Sequence, residues 1–387
     1  MAHRRIAATR LQTIEAELDQ ILHTKVISGL DAVRALAVIL VLIDHFWVFD
    51  YLSGEHPQTG SLGVMIFFVL SGFLITSMLL KEYRQTGNIA LGNFYRRRAY
   101  RIFPNFYCCW ILTTVVYCLC GTFNWKHAAL SFFYLMDYAR GLAPLSVQPG
   151  MHMWVSWSLA VEEKFYLLWP LLLLILLKRP NLIRMLVSII LGQWVYRAVM
   201  AWHFHVSDAY LYNTFDMRAD ALLVGCLLAM MVENDRIRLL CCELLRRQWV
   251  SALAPLALVL MAVVAAPSNK AVALVLWSMQ PLIVAVMLLQ AVYWGAKSWT
   301  FTGHATVRWI AQLSYALYLY HPLASQIVKV VGMRHLGYPA VILTLIMAPA
   351  SYYLVERPFM RMRDRQRPRD AAIPAGAAAS VATAVAE

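Results

Sequence analysis

Charged residues are scarce in this chain: Asp, Glu, Lys and Arg make up 14% of its 387 residues, against 61% hydrophobic. That balance excludes an ordinary water-soluble domain and predicts a polytopic membrane protein. Acidic residues are the scarcer sign, 21 against 34 Lys and Arg, for a net charge of +13. The basic excess sits in short segments beside apolar runs instead of on one soluble face, so it argues against a nucleic-acid partner and reports membrane orientation. Cysteine is sparse too. The seven, Cys108, Cys109, Cys118, Cys120, Cys226, Cys241 and Cys242, are odd in number, lie mostly within apolar runs and lack metal-ligand spacing. They argue against a disulfide framework and a metal site, and packing is their expected role. A cleavable leader is also missing: about 28 mostly polar residues precede the first apolar run and no small-residue cleavage site follows, so that run reads as a signal anchor. The two halves show no clear internal repeat, unlike many secondary transporters.

What is present is a series of ten apolar runs of spanning length, near residues 30 to 50, 62 to 81, 103 to 121, 158 to 177, 182 to 203, 211 to 232, 249 to 266, 271 to 294, 310 to 331 and 337 to 355. The predicted fold class is all-α, a polytopic transmembrane helical bundle of about ten spans. Residues 1–27 read as a cytoplasmic amphipathic segment, with Leu11, Ile14, Leu18 and Leu22 at helical spacing. That helix suits the membrane surface or the flank of the bundle equally. Residues 28–360 form the membrane domain, and residues 361–387 a basic, then Ala-rich, disordered cytoplasmic tail. With the N-terminus inside, Arg96 to Arg101, Lys178 and Arg179, Arg236 to Arg247 and Arg357 to Arg369 all fall inside. Counting the short patch at 128 to 136 as a span would invert every later loop. It is therefore read as re-entrant or interfacial, with 121 to 157 outside and both termini cytoplasmic.

The first run carries ionisable groups that hydrocarbon penalises by about 2.5 kcal/mol or more each unless partnered. Arg34 and His45 lie eleven residues apart. On a helix that separation puts them within roughly 20° of one face, about 16 Å apart along the axis. Asp44 adjoins His45 but points about 100° away, so direct pairing is not expected. In the second run, Ser71-Gly72 reads as a packing notch. At the mouth of the third, Arg98 and Arg101 stand three apart, adjacent on a helix and suited to bidentate grip of phosphates. Glu162 and Glu163 enter the next apolar run among tryptophans, where carboxylates need a partner or a task. Asp216 and Asp220 share a face and read as structural ion-pair partners for Arg218 or a neighbouring helix. Ser314, Tyr318 and His321 form a polar face ahead of Pro322, with His321 read foremost as a satisfied buried histidine. Glu356 reads as neutralising nearby arginines.

These segments, taken in order, resemble the acyltransferase 3 family of integral membrane O-acyltransferases. The resemblance is carried by Leu30-Asp31 with Arg34 and His45; Phe67-Phe-Val-Leu-Ser-Gly-Phe-Leu-Ile75; Phe94-Tyr-Arg-Arg-Arg-Ala-Tyr-Arg-Ile-Phe-Pro104; Trp157-Ser-Leu-Ala-Val-Glu-Glu-Lys-Phe-Tyr166; Arg218-Ala-Asp220; Ser314 to His321; and Glu356-Arg-Pro358. It extends from about residue 28 to 363. It implies transfer of an acyl group, often acetyl, from acyl-CoA to a hydroxyl of a glycan, lipid-linked sugar or small molecule, in a bacterial cell membrane. Catalytic roles would fall to His45, Arg34 and Glu162, and donor binding to Arg98 and Arg101. Two departures stand out: Ala32 follows Asp31 where Gly is common, and no soluble hydrolase-like domain follows the last span.

The chemistry agrees with that implication. An ordinary imidazole titrates near neutrality and can take a proton from an attacking hydroxyl. Acyl-CoA brings phosphates that meet arginines from the cytoplasmic side. The thioester is expected to reach His45 within the bundle, and an acceptor displayed outside is expected to approach past Glu162, which would bind a sugar hydroxyl or pair with an intramembrane cation. Rival readings are acylation of a small molecule such as a macrolide or secreted oligosaccharide and, from another class, a membrane transporter or exporter.

Overall fold

The computed structural model describes residues 2–24, 27–46, 59–142, 152–179, 181–264, 270–297, 302–332 and 337–365. The described residues are helical or in turns. The helices are α1 (Ala2–His23), α2 (Ser28–His45), α3 (Thr59–Thr86), α4 (Leu91–Leu119), α5 (Trp125–Phe132), α6 (Met136–Leu142), α7 (Ser156–Leu176), α8 (Leu182–Trp202) and α9 (Asp208–Asn213). They continue with α10 (Phe215–Glu233), α11 (Asp235–Arg246), α12 (Gln248–Val264), α13 (Lys270–Lys297), α14 (Ala305–Val330), α15 (Gly337–Ser351), a π-helical turn (Tyr352–Glu356) and α16 (Arg357–Arg365).

Within the described residues each of the ten apolar runs is helical, the one at 211 to 232 broken at Thr214. Thr59–Thr86, Leu91–Leu119, Leu182–Trp202, Lys270–Lys297 and the continuous Gly337–Arg365 are long and apolar enough to cross a membrane. The other five runs are shorter or carry the polar side chains that later prove to line the interior. On α4 and α8 the pattern is inside-out: Ile111, Val115 and Leu119, and Leu191, Val195 and Val199, repeat every four residues and are exposed. That stripe suits lipid, while Asn105, Cys109, Thr113 and Arg197 turn inward. Helices α5 and α6, eight and seven residues long, are too short to span, in keeping with the interfacial reading of 128 to 136. Asn124 starts α5 by accepting the backbone N–H groups of Lys126 and His127 at 3.0 and 3.3 Å.

The centre of the bundle is the seam between α3 and α10, with α2 against α3 and both α13 and α14 against α2. The seam is close because Gly72 and Gly225 face it. A Cβ at Gly72 would stand 1.9 Å from the Leu222 carbonyl oxygen, and one at Gly225 would stand 2.0 Å from that of Val69. One further device fixes α15 to α4. The π turn drives Glu356 inward to 3% exposure, where it accepts a hydrogen bond from Asn105 Nδ2 at 3.2 Å, and Ser351 donates to the same Asn105. Glu356 is therefore a buried strut, more than the surface neutraliser its position suggested.

The amphipathic α1 packs on α11 and α13, burying Ile14 and Leu18, which resolves its two possible seats in favour of the bundle. Lys297 and Tyr293 hydrogen-bond Glu17, holding its carboxyl below the usual carboxylate range. Residues 361–365, expected in the tail, continue α16 as helix, and the rest of that tail lies outside the described residues. All seven cysteines are free, and Cys109, Cys226, Cys241 and Cys242 are buried.

Candidate functional site: an arginine cavity beside a histidine pair

A cavity of about 350 Å³ opens between α2, α3, α4, α7 and α14. Its polar lining is Arg34, Ser71, Arg98, Arg101, Ser158, Glu162, Glu163, Ser314 and the tyrosines 166, 315 and 318, and its apolar lining includes Phe67, Phe68, Leu74 and Met78. Helical spacing explains the grouping. Arg98 and Arg101 lie three apart on α4, while Glu162 and Tyr166 on α7, and Ser314 and Tyr318 on α14, lie four apart, so each helix gives one face.

The cations there are held loosely. Arg34 reaches Asp31 at 3.4 Å, one helical turn away. The Arg98 guanidinium lies 4.5 Å from the centroid of the Tyr166 ring, and among the described residues neither Arg98 nor Arg101 forms an ion pair within 4 Å. Arg101 is exposed, at the cavity's open end. Ser71, read as part of a packing notch, does two things: its hydroxyl donates to Glu162 Oε1 at 2.8 Å, and its neighbour Gly72 makes the α3–α10 seam.

Glu162, expected to bind a sugar hydroxyl on the acceptor's approach or to pair with an intramembrane cation, lines the arginine cavity, because the face of α7 that carries it turns toward α3 and α4. One expectation needs correction. His45 was expected mid-span on a stripe continuous with Arg34. The helix ends at His45, Phe46 caps it, and His45 does not line the cavity. Between them stands Tyr318, whose hydroxyl meets Ser158 Oγ at 2.5 Å and donates to the Val155 carbonyl at 3.0 Å. Its ring centroid lies 5.8 Å from that of His321.

Beyond Tyr318, His45 Nδ1 and His321 Nε2 lie 2.9 Å apart, with the rings stacked at 14° and 4.8 Å. Trp154 meets His45 edge-on at 5.1 Å. Asp44 Oδ2 comes to 4.0 Å of His45 Nε2, closer than helix geometry alone suggested. His321 is 1% exposed. Its Nδ1 makes no hydrogen bond of good geometry and lies against the carbonyls of Leu317 and Tyr318. Pro322 has no N–H, so the Tyr318 carbonyl, four residues earlier, lacks its helical donor.

The aspartate pair divides. Asp220 joins Arg197 of α8 at 2.5 Å, both 1% exposed, and accepts from Trp194 Nε1 at 3.0 Å. Asp216 accepts from the hydroxyls of Tyr138, Tyr196 and Tyr210, each at 3.1 Å. Sequence reading had passed over Arg197; an arginine inside an apolar run was the available signal for it. Among the described residues no cluster of three or more His, Cys, Asp or Glu is placed to hold a metal ion.

Comparison with known proteins bears on this geometry. A family described as an acyltransferase domain, of the acyltransferase 3 type, matches residues 27–355. The chain belongs to the acyltransferase 3 family. Relatives within reach include the O-acetyltransferase OatA of Staphylococcus aureus, 34% identical over 226 residues, which cover 55% of this chain and 36% of that protein. The peptidoglycan O-acetyltransferase OatA of Listeria monocytogenes is 33% identical over 227 residues, 55% of this chain and 35% of the relative. The Bacillus subtilis protein YrhL is 30% identical over 365 residues, 87% of this chain and 55% of the relative. This acyltransferase 3 chain thus spans about a third to about half the length of the curated relatives it matches. No solved structure matches it.

Proposed function

We propose that this protein is a membrane O-acyltransferase that moves an acyl group, acetyl in the expected case, from acyl-CoA to a hydroxyl of a glycan outside the membrane. The observation that carries the reading is the arginine-walled cavity ending one aromatic ring short of the histidine pair. A volume of about 350 Å³ is near the lower end of ligand pockets, about 300–1,000 Å³, and suits the narrow acyl-pantetheine arm of the donor. The phosphates would stay at the mouth with Arg98 and Arg101, where guanidinium forks make charge-assisted hydrogen bonds. Arg34 extends that positive wall inward, and Glu162, fixed by Ser71, keeps the cavity from carrying cations alone. The acetyl donor and glycan acceptor in this reading also draw on the names of the relatives.

Chemistry at the far end follows from hydrogen-bond direction. If the Nδ1–H of His321 faces the Tyr318 carbonyl that Pro322 leaves open, His321 Nε2 carries a lone pair. It then accepts from His45 Nδ1–H, which leaves the lone pair of His45 on Nε2, facing Asp44. In this arrangement His45 Nε2 takes the proton of the acceptor hydroxyl as its oxygen attacks the thioester carbonyl. The carbon–sulfur bond breaks, the ester bond forms, and the proton leaves with the CoA thiolate. Asp44 stabilises the imidazolium between those events. The thioester reaches His45 by passing the Tyr318–Ser158 pair, which makes that pair the barrier between the two compartments.

Mass spectrometry of surface glycans and secreted metabolites from cells with and without the chain tests the reading. A gain of one acetyl per modified sugar is expected, and purified protein in vesicles should transfer label from acetyl-CoA. Substrate flux across the vesicle without any new ester would replace the enzyme with a transporter, and label on a released small molecule would replace the glycan.

A further inference from the structure

Close to the histidine pair lie two guanidinium groups that form no ion pair among the described residues. Arg218 of α10 is 1% exposed, and its Nε and Nη1 make no hydrogen bond. The nearest obvious anion, Asp220, is taken by Arg197 and Trp194. Arg218 rests its guanidinium 5.2 Å from the centroid of the Tyr212 ring. Arg140 of α6 lies 5.3 Å from the centroid of Trp154 and 5.9 Å from that of Trp157, with no ion pair among the described residues. Tyr212 joins the two: its ring is 5.2 Å from Trp157, and its hydroxyl hydrogen-bonds Ser61 within electrostatic reach of Arg218, Arg140 and Asp44. Asp44 is already shared with Thr59 and His45.

Aromatic faces relieve a buried cation only in part, and a burial this complete is stable only with a counter-anion. Trp154, half-buried, offers a flat apolar face of the kind that sugar rings pack on and touches His45 itself. From this juxtaposition we infer that the outer compartment is an acceptor subsite for an acidic saccharide, with Arg140 and Arg218 taking its carboxylate or phosphate and Trp154 its ring. The inference rests on the glycan acceptor proposed above and narrows it to anionic glycans. The charged group would anchor the sugar so that a neighbouring hydroxyl meets His45 Nε2.

Binding, measured apart from turnover, separates this from the proposed reaction. The probes are the disaccharide of N-acetylglucosamine and N-acetylmuramic acid, its carboxyl methyl ester, and a 1-phosphate form of that ester, titrated calorimetrically into the full chain in nanodiscs. The free acid or the phosphate is expected to bind at least about tenfold tighter than the neutral ester. Arg140→Gln should erase that advantage and leave the ester's affinity unchanged. Arg218→Lys, which keeps the buried charge and removes the fork, should reduce it in part. The acid arm alone responding identifies a carboxylate, and the phosphate arm alone a phosphate. Equal affinity for all three probes in the unaltered chain overturns the inference, and so does an equal loss for all three in Arg140→Gln. Absence of acetyl transfer with the anion preference intact overturns the proposed reaction alone.

Discussion

The arginine cavity and the histidine pair are separated by one tyrosine and are built on opposite plans. In the cavity, three guanidiniums and two carboxylates surround empty space, and among the described residues Arg98 and Arg101 form no ion pair. At the histidine pair the groups hold one another: two imidazoles stack and hydrogen-bond, and Trp154 and Phe46 pack edge-on against them. A void with surplus cations is suited to receiving an anionic molecule. A packed, mostly buried pair is suited to fixing the orientation of a proton. The two plans divide binding from chemistry, and substitutions on either side should divide the same way.

The largest effect is expected from His45→Gln, which keeps polarity but cannot take a proton. Acetyl transfer should fall by about 10² to 10⁴ while acetyl-CoA affinity stays unchanged. A near-normal rate would make the pair structural and dissolve the contrast. Arg98→Ala with Arg101→Ala should do the reverse, weakening acetyl-CoA binding by about 10- to 100-fold per arginine, the size of a lost charge-assisted hydrogen bond, with the protein still inserted. Calorimetry on the purified double variant reads this, and unchanged affinity would remove the donor from the cavity. At His321, Gln places an acceptor oxygen near the position of Nε2 and should keep most of the turnover, whereas Leu should lower kcat by at least about tenfold with both KM values preserved. Equal kcat in the two variants would show that His321 does not set the tautomer of His45.

Orientation gives a test without kinetics. Reporters fused at Gly141 and Gly303 should report outside and inside, and a cytoplasmic signal at Gly141 would reverse which compartment faces the donor. The smallest effect lies far from both compartments. Glu17→Gln should cost at most about 1 kcal/mol, since the contact with Lys297 is partly exposed. Because the folded-state pKa of Glu17 is lowered, that contribution is present at neutral pH and is lost as pH falls through the lowered value. Thermal melts of both chains should therefore differ at pH 7 and converge in acid.

What could be read from sequence was whatever lies on one helix. The apolar runs marked the helices, and spacing put Arg98 with Arg101 and Ser314 with Tyr318, because the period of a helix is fixed by its backbone. What could not be read was the rotation of one helix against another. Glu162 faces arginines because α7 is turned toward α3 and α4, and nothing within α7 records that turn, so its two possible partners could not be told apart. The partnership of His45 with His321 likewise depends on how α2 meets α14, some 276 positions apart in the chain. A place for Arg140 beside the histidine pair was not legible for a related reason: it sits on a helix of seven residues, too short to show a period.

The glycine seam also carries a consequence for reading inherited variation in this chain. A Cβ at Gly72 would meet the backbone of α10, and the neighbouring Ser71 holds Glu162. A single added methyl at Gly72 would force the two helices apart and carry Ser71 with them. A change that appears to concern packing alone would then surface as a defect in donor affinity. An inserted Gly72→Ala protein that binds acetyl-CoA as well as the original would show instead that the serine follows α7 and not the seam.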